Sequence, residues 1–481
     1  MAVRRNLSLV GAANIASFIL NFISVVAISR LLTPEEIGIY SVSVAFIGLA
    51  HTFREFGVTQ YLVQTKTVSS KEIRAAFSVT LYSSCALALL IYFASWPLSA
   101  FFNHEGIVDI LTIMAINFLL IPLGTPVLAI MRRNLQFGYL SFNVCLMAFV
   151  QTSVSITCAY FGQSYLSMAW GALAATCAKI LWLYIIRPSE LFILPTLTGL
   201  GKAIRFGSYT SLGTVINELG SAAPDFIFGK TLGFVEVAFF SRANGLRKML
   251  VSTLMNVIRS VYFPTFAGEL RQGADGAALF SSTMKYVVAI MAPILAVLGV
   301  LSEPLIIFLF GDQWARSAPL AAIICFYGVV GTPYSLTSQT LIAAGTLRLY
   351  LWVEGITQVV QLLVLITSIW LTLEQVVALF AVTTATRIAV AQSVLYYGVG
   401  LRFTSHIRQM SKSFLLVPFS VIGPILVLLG QLYGLIAQFD LLALSLGTVF
   451  AFTGWIIGVY ITDHPIRREI RYFLNKLKLE Y

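Results

Sequence analysis

The sequence predicts an all-α polytopic membrane protein. About fourteen transmembrane helices form two six-helix lobes, related by an internal repeat and a pseudo-two-fold, with two further helices at the C-terminal end. Three observations predict this. Of 481 residues, 58% are hydrophobic and 11% charged, at a mean hydropathy of +0.88, where soluble domains carry about 25% charged residues. The apolar runs reach about 20 residues, the length at which a helix crosses a hydrocarbon core. Lipid also forces each backbone group to be satisfied inside its own segment, so runs of this length are helices; β-barrel spans are shorter and alternate. The third observation is a repeat, taken up after the spans.

In chain order the runs are 7–29, 37–63, 75–101, 108–131, 138–161, 165–186, 205–228, 235–260, 286–310, 318–343, 348–372, 375–400, 413–433 and 440–461. The first follows Arg4-Arg5 in the manner of a signal peptide. It is long enough to span, and Ala27-Ile28-Ser29 is a weak cleavage signal, so it is read as a retained helix. No connection is long enough to hold a separate soluble domain. Alternate connections carry most of the basic residues, among them Arg132-Arg133, Arg187, Arg348, Arg402, Arg408 and Lys412. The positive-inside rule then places both termini in the cytoplasm, which requires an even number of spans. The net charge of +11, from 31 Lys+Arg against 20 Asp+Glu, is therefore read as a topological signal. Nucleic acid is not an expected partner; the lipid bilayer is. The basic stretch from Arg467 to Tyr481 is expected to rest on anionic lipid. Cys85, Cys145, Cys158, Cys177 and Cys325 all lie in apolar runs without metal spacing and read as small hydrophobes.

The segment from Ile28 to Ser41 aligns without gaps on that from Phe228 to Ser241. Leu32/Leu232, Glu36/Glu236 and Ser41/Ser241 are identical, and Arg30/Lys230, Ile37/Val237 and Tyr40/Phe240 are conservative. Both segments join the first two spans of a six-helix block, and six intervening helices give the copies one orientation, as in parallel-repeat transporters. The expected organisation is an N-terminal lobe at 1–200, a C-terminal lobe at 201–404, two additional helices at 405–462 and a cytoplasmic tail at 463–481.

Polar residues inside the spans mark the candidate site, because charge in lipid costs at least about 3 kcal/mol and needs water or a partner. In the seventh span Gly207, Ser211, Thr214, Glu218, Ser221 and Asp225 share one face. That stripe lines a cavity or eases helix packing, and its two acids favour the cavity. Glu218 and Asp225 are the candidate ion-coupling residues. The second span gathers His51, Arg54 and Glu55, whose Arg54–Glu55 pair is equally a structural or a functional ion pair. The eighth carries Arg242, Asn244, Arg247 and Lys248, with Arg259 toward the cytoplasmic end, where it can snorkel. The eleventh has Glu354, Gln358 and Gln361 on one face, and the twelfth has Arg387. Arginine in this quantity favours an anionic head group such as a diphosphate, because a guanidinium meets phosphate as a fork. No catalytic constellation, phosphate-cradling glycine loop or metal-spaced His/Cys set is present in the sequence, so neither cofactor nor metal is expected and the chain is not read as an enzyme.

Arg30-Leu-Leu-Thr-Pro-Glu-Glu-Ile-Gly-Ile-Tyr40 with Phe53-Arg-Glu-Phe-Gly57 resembles the opening of the polysaccharide transporter (oligosaccharide flippase) family. That family belongs to the multidrug/oligosaccharidyl-lipid/polysaccharide exporter superfamily. Met131-Arg-Arg-Asn-Leu-Gln-Phe137, Val261-Tyr-Phe-Pro-Thr-Phe-Ala267 and Phe310-Gly-Asp-Gln-Trp314 are similar to it as well. The resemblance implies two lobes around a central cavity in a bacterial inner membrane. It implies a flippase that carries a polyprenyl-diphosphate-linked oligosaccharide to the periplasmic face, with polysaccharide polymerisation or export proteins as possible partners. It also implies a cavity role for His51, Arg54, Glu55, Glu218, Asp225, Arg242 and Arg247. The competing readings are a cation-coupled drug or metabolite exporter, which calls for acids rather than arginines, and a membrane-embedded glycosyltransferase or polymerase, which calls for a sizeable outer loop. A structural scaffold is disfavoured by the polar stripe of the seventh span.

Overall fold

The computed structural model describes residues 2–54, 70–187, 195–196, 200–434 and 441–471, with the side chains of 2–8, 70–72 and 200–214 outside that description. Glu55, Lys66, Glu190, Asp440 and the tail beyond Arg471 lie outside the described residues, as do the side chains of Gly207, Ser211 and Thr214.

The described residues are helical almost throughout, with no strand among them. Twelve stretches are long and apolar enough to cross a membrane, so the chain is a multi-pass membrane protein. The seventh and eighth expected spans fall on two further helices, α8 (Leu200–Thr231, 32 residues) and α9 (Phe234–Arg271, 38 residues), which hold the polar stripe and the basic run.

By internal packing the chain divides into two compact units, Met1–Ala238 and Phe239–Tyr481. The first contains α1 (Ala2–Leu31), α2 (Pro34–Arg54), α3 (Ser70–Phe102), α4 (Gly106–Leu120), α5 (Thr125–Arg133), α6 (Phe137–Tyr160), α7 (Leu166–Ile186) and α8. Here α6 packs on α1 and α7, and α4 packs on α3, α2 and α7. The helix α8, which the repeat assigns to the second block, packs against α2 and α3. The second unit contains most of α9, then α10 (Gly276–Val300), α11 (Ser302–Phe310), α12 (Ser317–Gly331), α13 (Thr337–Ala343), α14 (Leu347–Ile366), α15 (Leu373–Val399), α16 (Phe403–Phe414), α17 (Leu416–Leu432) and α18 (Leu441–Ile461). Its centre is α10, which buries Phe280, Met284, Val288 and Met291 against Tyr262, Leu336, Val353 and Leu395. Between helices in lipid such contacts act through close packing rather than through expulsion of water.

Local chemistry fixes the helix ends. Thr33 and Glu36 cap α2 reciprocally, the Thr33 amide donating to Glu36 Oε2 at 2.7 Å. Asp275 caps α10 by accepting from the amides of Ala277 and Ala278, and Thr372 with Gln375 forms a capping box on α15. Gly400, at φ +78°, closes α15 in the left-handed region that glycine enters without strain.

Two of the long spans are broken locally. The fourth span of the first block is interrupted by a 3-10 turn at Ile121–Gly124, beside Pro122 and Pro126, and the fourth of the second block by one at Thr332–Tyr334, around Pro333. In each case proline removes a donor from the helical ladder. The twelve-residue α16 falls on residues read from the sequence as a connection; its charged face hid a buried one, formed by His406, Met410 and Ser413.

Candidate functional site

Each unit places charged residues of its own among membrane helices. In the first, His51 and Arg54 close the last described turn of α2 and face Phe118 of α4. The two rings lie 4.5 Å apart, and the Arg54 guanidinium carbon sits 5.8 Å from the Phe118 centroid. Phe118 is completely buried, so it gives Arg54 a fixed aromatic face, an arrangement that favours a planar cation. Glu218 of α8 lies near the preceding turn of α2. A Cβ on Gly48, one turn before His51, would stand 3.9 Å from Glu218 Oε2, and the Ser221 hydroxyl donates to the same oxygen at 3.2 Å. Asp225 is half-buried two turns further along α8.

The first unit also buries a charge that the sequence reading did not select. Lys179 of α7 is 5% exposed, lies within electrostatic reach of Arg54, and runs its aliphatic stem past Gly124, where a Cβ would stand 3.4 Å from Lys179 Cε. The available signal was that it is the only charge in the run from Leu166 to Ile186.

In the second unit, Arg242 of α9 lies 5.3 Å from the centroid of Trp314 and 6.0 Å from that of Phe310. Both rings are buried and both belong to the segment Phe310-Gly-Asp-Gln-Trp314. No carboxylate among the described residues pairs with Arg242, and its Nε is buried without a hydrogen-bond partner. Arg247, on the same helix, donates from Nη2 to Asn244 Oδ1 at 2.9 Å. It stands beside Tyr327, whose buried hydroxyl has no partner, as its own Nε has none. Lys248 is exposed. The Nε atoms of Arg242 and Arg247 are thus two buried donors on α9 without a partner, and a guanidinium donor of this kind accepts an anion's oxygen.

Glu354 and Arg387 are brought together in an ion pair of 3.1 Å between α14 and α15. Gln358, one turn from Glu354, keeps a buried Oε1 without a partner. Arg259 is exposed and lies near enough to Arg387 to repel it. No group of three or more metal-ligating side chains occurs among the described residues.

Comparison with known proteins adds the context for this geometry. Residues 27–319 match the family model described as polysaccharide biosynthesis protein. The chain is 23% identical over 325 residues to the lipopolysaccharide biosynthesis protein WzxC of Escherichia coli (strain K12), a match spanning 65% of each chain. It is 22% identical over 356 residues to the succinoglycan biosynthesis transport protein ExoT of Rhizobium meliloti (strain 1021), covering 73% of this chain and 71% of that one. Its fold is similar to that of the lipid II flippase MurJ, with a TM-score of 0.75 at 14% identity over 96% of this chain and 99% of the other. It is also similar to an inward-facing multidrug resistance MATE family transporter, at a TM-score of 0.63 and 15% identity over 82% and 96%.

Proposed function

The chain belongs to the polysaccharide biosynthesis protein family, and from that premise we propose that it is a transporter, not an enzyme. Its cargo is a polyprenyl-diphosphate-linked oligosaccharide, which it moves from the cytoplasmic to the periplasmic face of a bacterial inner membrane, with both of its own termini in the cytoplasm. The single observation that carries the substrate class is the state of α9. Arg242 and Arg247 lie in a long membrane helix, have no carboxylate partner among the described residues, and keep buried Nε donors unsatisfied. A guanidinium in that setting is stable only opposite an anion or water, and a diphosphate offers oxygens in the geometry its fork accepts.

The movement is alternating access: the head group is held by basic side chains that lipid excludes, while the polyprenyl tail stays in the bilayer. A proton or sodium ion bound at Glu218 or Asp225 supplies the coupling. Names borne by relatives, which include lipopolysaccharide biosynthesis and succinoglycan transport, support a role in building a surface or exported polysaccharide, in company with polymerisation proteins.

The test is to delete the gene and extract lipid-linked saccharides. Finished oligosaccharide units should accumulate on the cytoplasmic face while the exported polymer disappears, and the Arg242→Ala variant should not restore export. Normal polymer with altered resistance to cationic drugs would instead identify an exporter of small cations.

A further inference from the structure

Three segments of the second unit meet at Ser413 of α16. Its hydroxyl donates to the Lys285 carbonyl of α10 at 2.7 Å and lies 3.0 Å from Nε2 of His464, just beyond α18. The chain after His464 turns back into a short helical stretch, where Ile466 packs with Leu416 and Val459, and Ile470 against the same cluster. With these inner faces committed, the outer ones carry cations. Lys412 directly precedes Ser413, Arg408 lies one turn before it, and Arg468 and Arg471 follow Ile466; all four are exposed. Lys285 is half-buried, its ammonium 5.1 Å from the centroid of Tyr286, and both lysines act electrostatically on the His464 ring. None of these cations has an ion pair among the described residues. No acid occurs in α10 or α16; of the two that follow α18 up to Arg471, Asp463 is held by Arg467 at 3.1 Å, which leaves Glu469. The patch therefore keeps an excess of positive charge. Apolar surface adjoins it. Leu415, between α16 and α17, is 52% exposed and Ile461, at the end of α18, 65%. The two sit at one level, because Leu416 packs on Val459.

We propose that this corner of the second unit binds an anionic phospholipid of the surrounding bilayer. Lys285, Lys412 and Arg468 hold its phosphate, and its acyl chains cover Leu415 and Ile461. Basic residues gathered where membrane helices end attract anionic head groups in this way, and Arg408 and Arg471 widen the attractive surface. Ser413 and His464 position the cations by tying their three segments together. A soluble anion would use the cations alone; the adjoining exposed leucine and isoleucine call for a ligand with an apolar part. The lipid is a neighbour and not the cargo, so the inference goes beyond the transport reading and does not depend on it.

The experiment is native mass spectrometry of the purified full-length chain in detergent, titrated separately with phosphatidylglycerol and with phosphatidylcholine of matched acyl chains. Wild type should bind phosphatidylglycerol the more tightly. Lys412→Gln and Arg468→Gln, both at exposed positions, should each weaken that binding about fivefold, the worth of one basic residue at a membrane surface, and leave phosphatidylcholine binding unchanged. Lys412→Arg keeps the charge and should bind as wild type does. Arg348→Gln removes an exposed cation from α14, which packs on α13 and α15 away from this corner, and should change neither titration. Equal binding of the two lipids by wild type would overturn the proposal, as would a phosphatidylglycerol preference that survives Lys412→Gln and Arg468→Gln together. Displacement of phosphatidylglycerol by an equal concentration of glycerol phosphate would assign the patch to a soluble anion and overturn it likewise.

Discussion

Arg387 on α15 donates to Oε1 of Glu354 on α14 at 3.1 Å, and the Ser338 hydroxyl donates to that same oxygen at 3.0 Å. The two partners differ in setting: the Glu354 side chain is 5% exposed and that of Arg387 41%. Removing the arginine therefore leaves a buried carboxylate with one hydroxyl donor. Arg387→Met should cost on the order of 1–3 kcal/mol, read as a lower melting temperature. Pairing it with Glu354→Gln should recover most of that loss, since a buried pair is costly to break and cheap to replace whole. Simply additive single losses would mean the two residues are not coupled.

Arg242 differs from Arg387 in having rings rather than an acid for company. Its stacking on Trp314 and Phe310 depends on a flat cation. Arg242→Lys should therefore fold but lose much of the export activity, while Arg242→Ala should lose at least about tenfold, the scale of one charge-assisted contact. Polymer export measured in a deletion strain carrying each variant gives the comparison. Full export by the alanine variant would make Arg242 a packing residue.

The helices could be read from sequence because they depend on local composition, while the breaks at Ile121–Gly124 and Thr332–Tyr334 were read through as continuous spans. Which charges meet could not be read, since it depends on helix rotation and on neighbours far along the chain. Glu354 and Arg387 stand 33 residues apart on consecutive helices, and each was recognised only as a polar residue within a span. Lys179 was not selected from the sequence, since its burial depends on neighbours such as Gly124, on another segment of the chain. The buried face of α16 was written in the sequence as His406, Met410 and Ser413, at spacings of four and three, but Arg408 and Lys412 between them gave the segment the look of a loop.

Gly38 marks a close backbone approach in the first unit. A Cβ there would overlap the carbonyl of Phe234, at the start of α9, and backbone yields less readily than a flexible side chain. Gly38→Ala should lower thermal stability by about 1–3 kcal/mol. The same change at Gly245, where a Cβ would meet nothing within 4 Å, should be neutral or stabilising in a helix interior. Equal melting temperatures for the two variants would show that α2 and α9 separate freely at this point.

His464 follows α18 and ties three segments together. Its Nδ1 accepts from the Ile466 amide at 3.2 Å and its Nε2 lies 3.0 Å from the Ser413 hydroxyl, which itself donates to the Lys285 carbonyl at 2.7 Å. The serine proton is thereby committed, so Nε2 is the donor and Nδ1 the acceptor, which describes a neutral imidazole. Burial first, then the charges of Lys285 and Lys412, lower its pKa from the ordinary 6.5 to about 4. Between those values the unfolded chain holds the extra proton and the folded one does not, so stability falls as pH falls through the window and is complete above it. His464→Gln, which keeps an amide donor but cannot titrate, should flatten that part of the profile. The measurement is a series of melts from pH 7 to pH 4 on both proteins. Because His406 is common to the two, only the difference between their slopes reports on His464, and parallel profiles would show that the tie holds equally well with a charged ring.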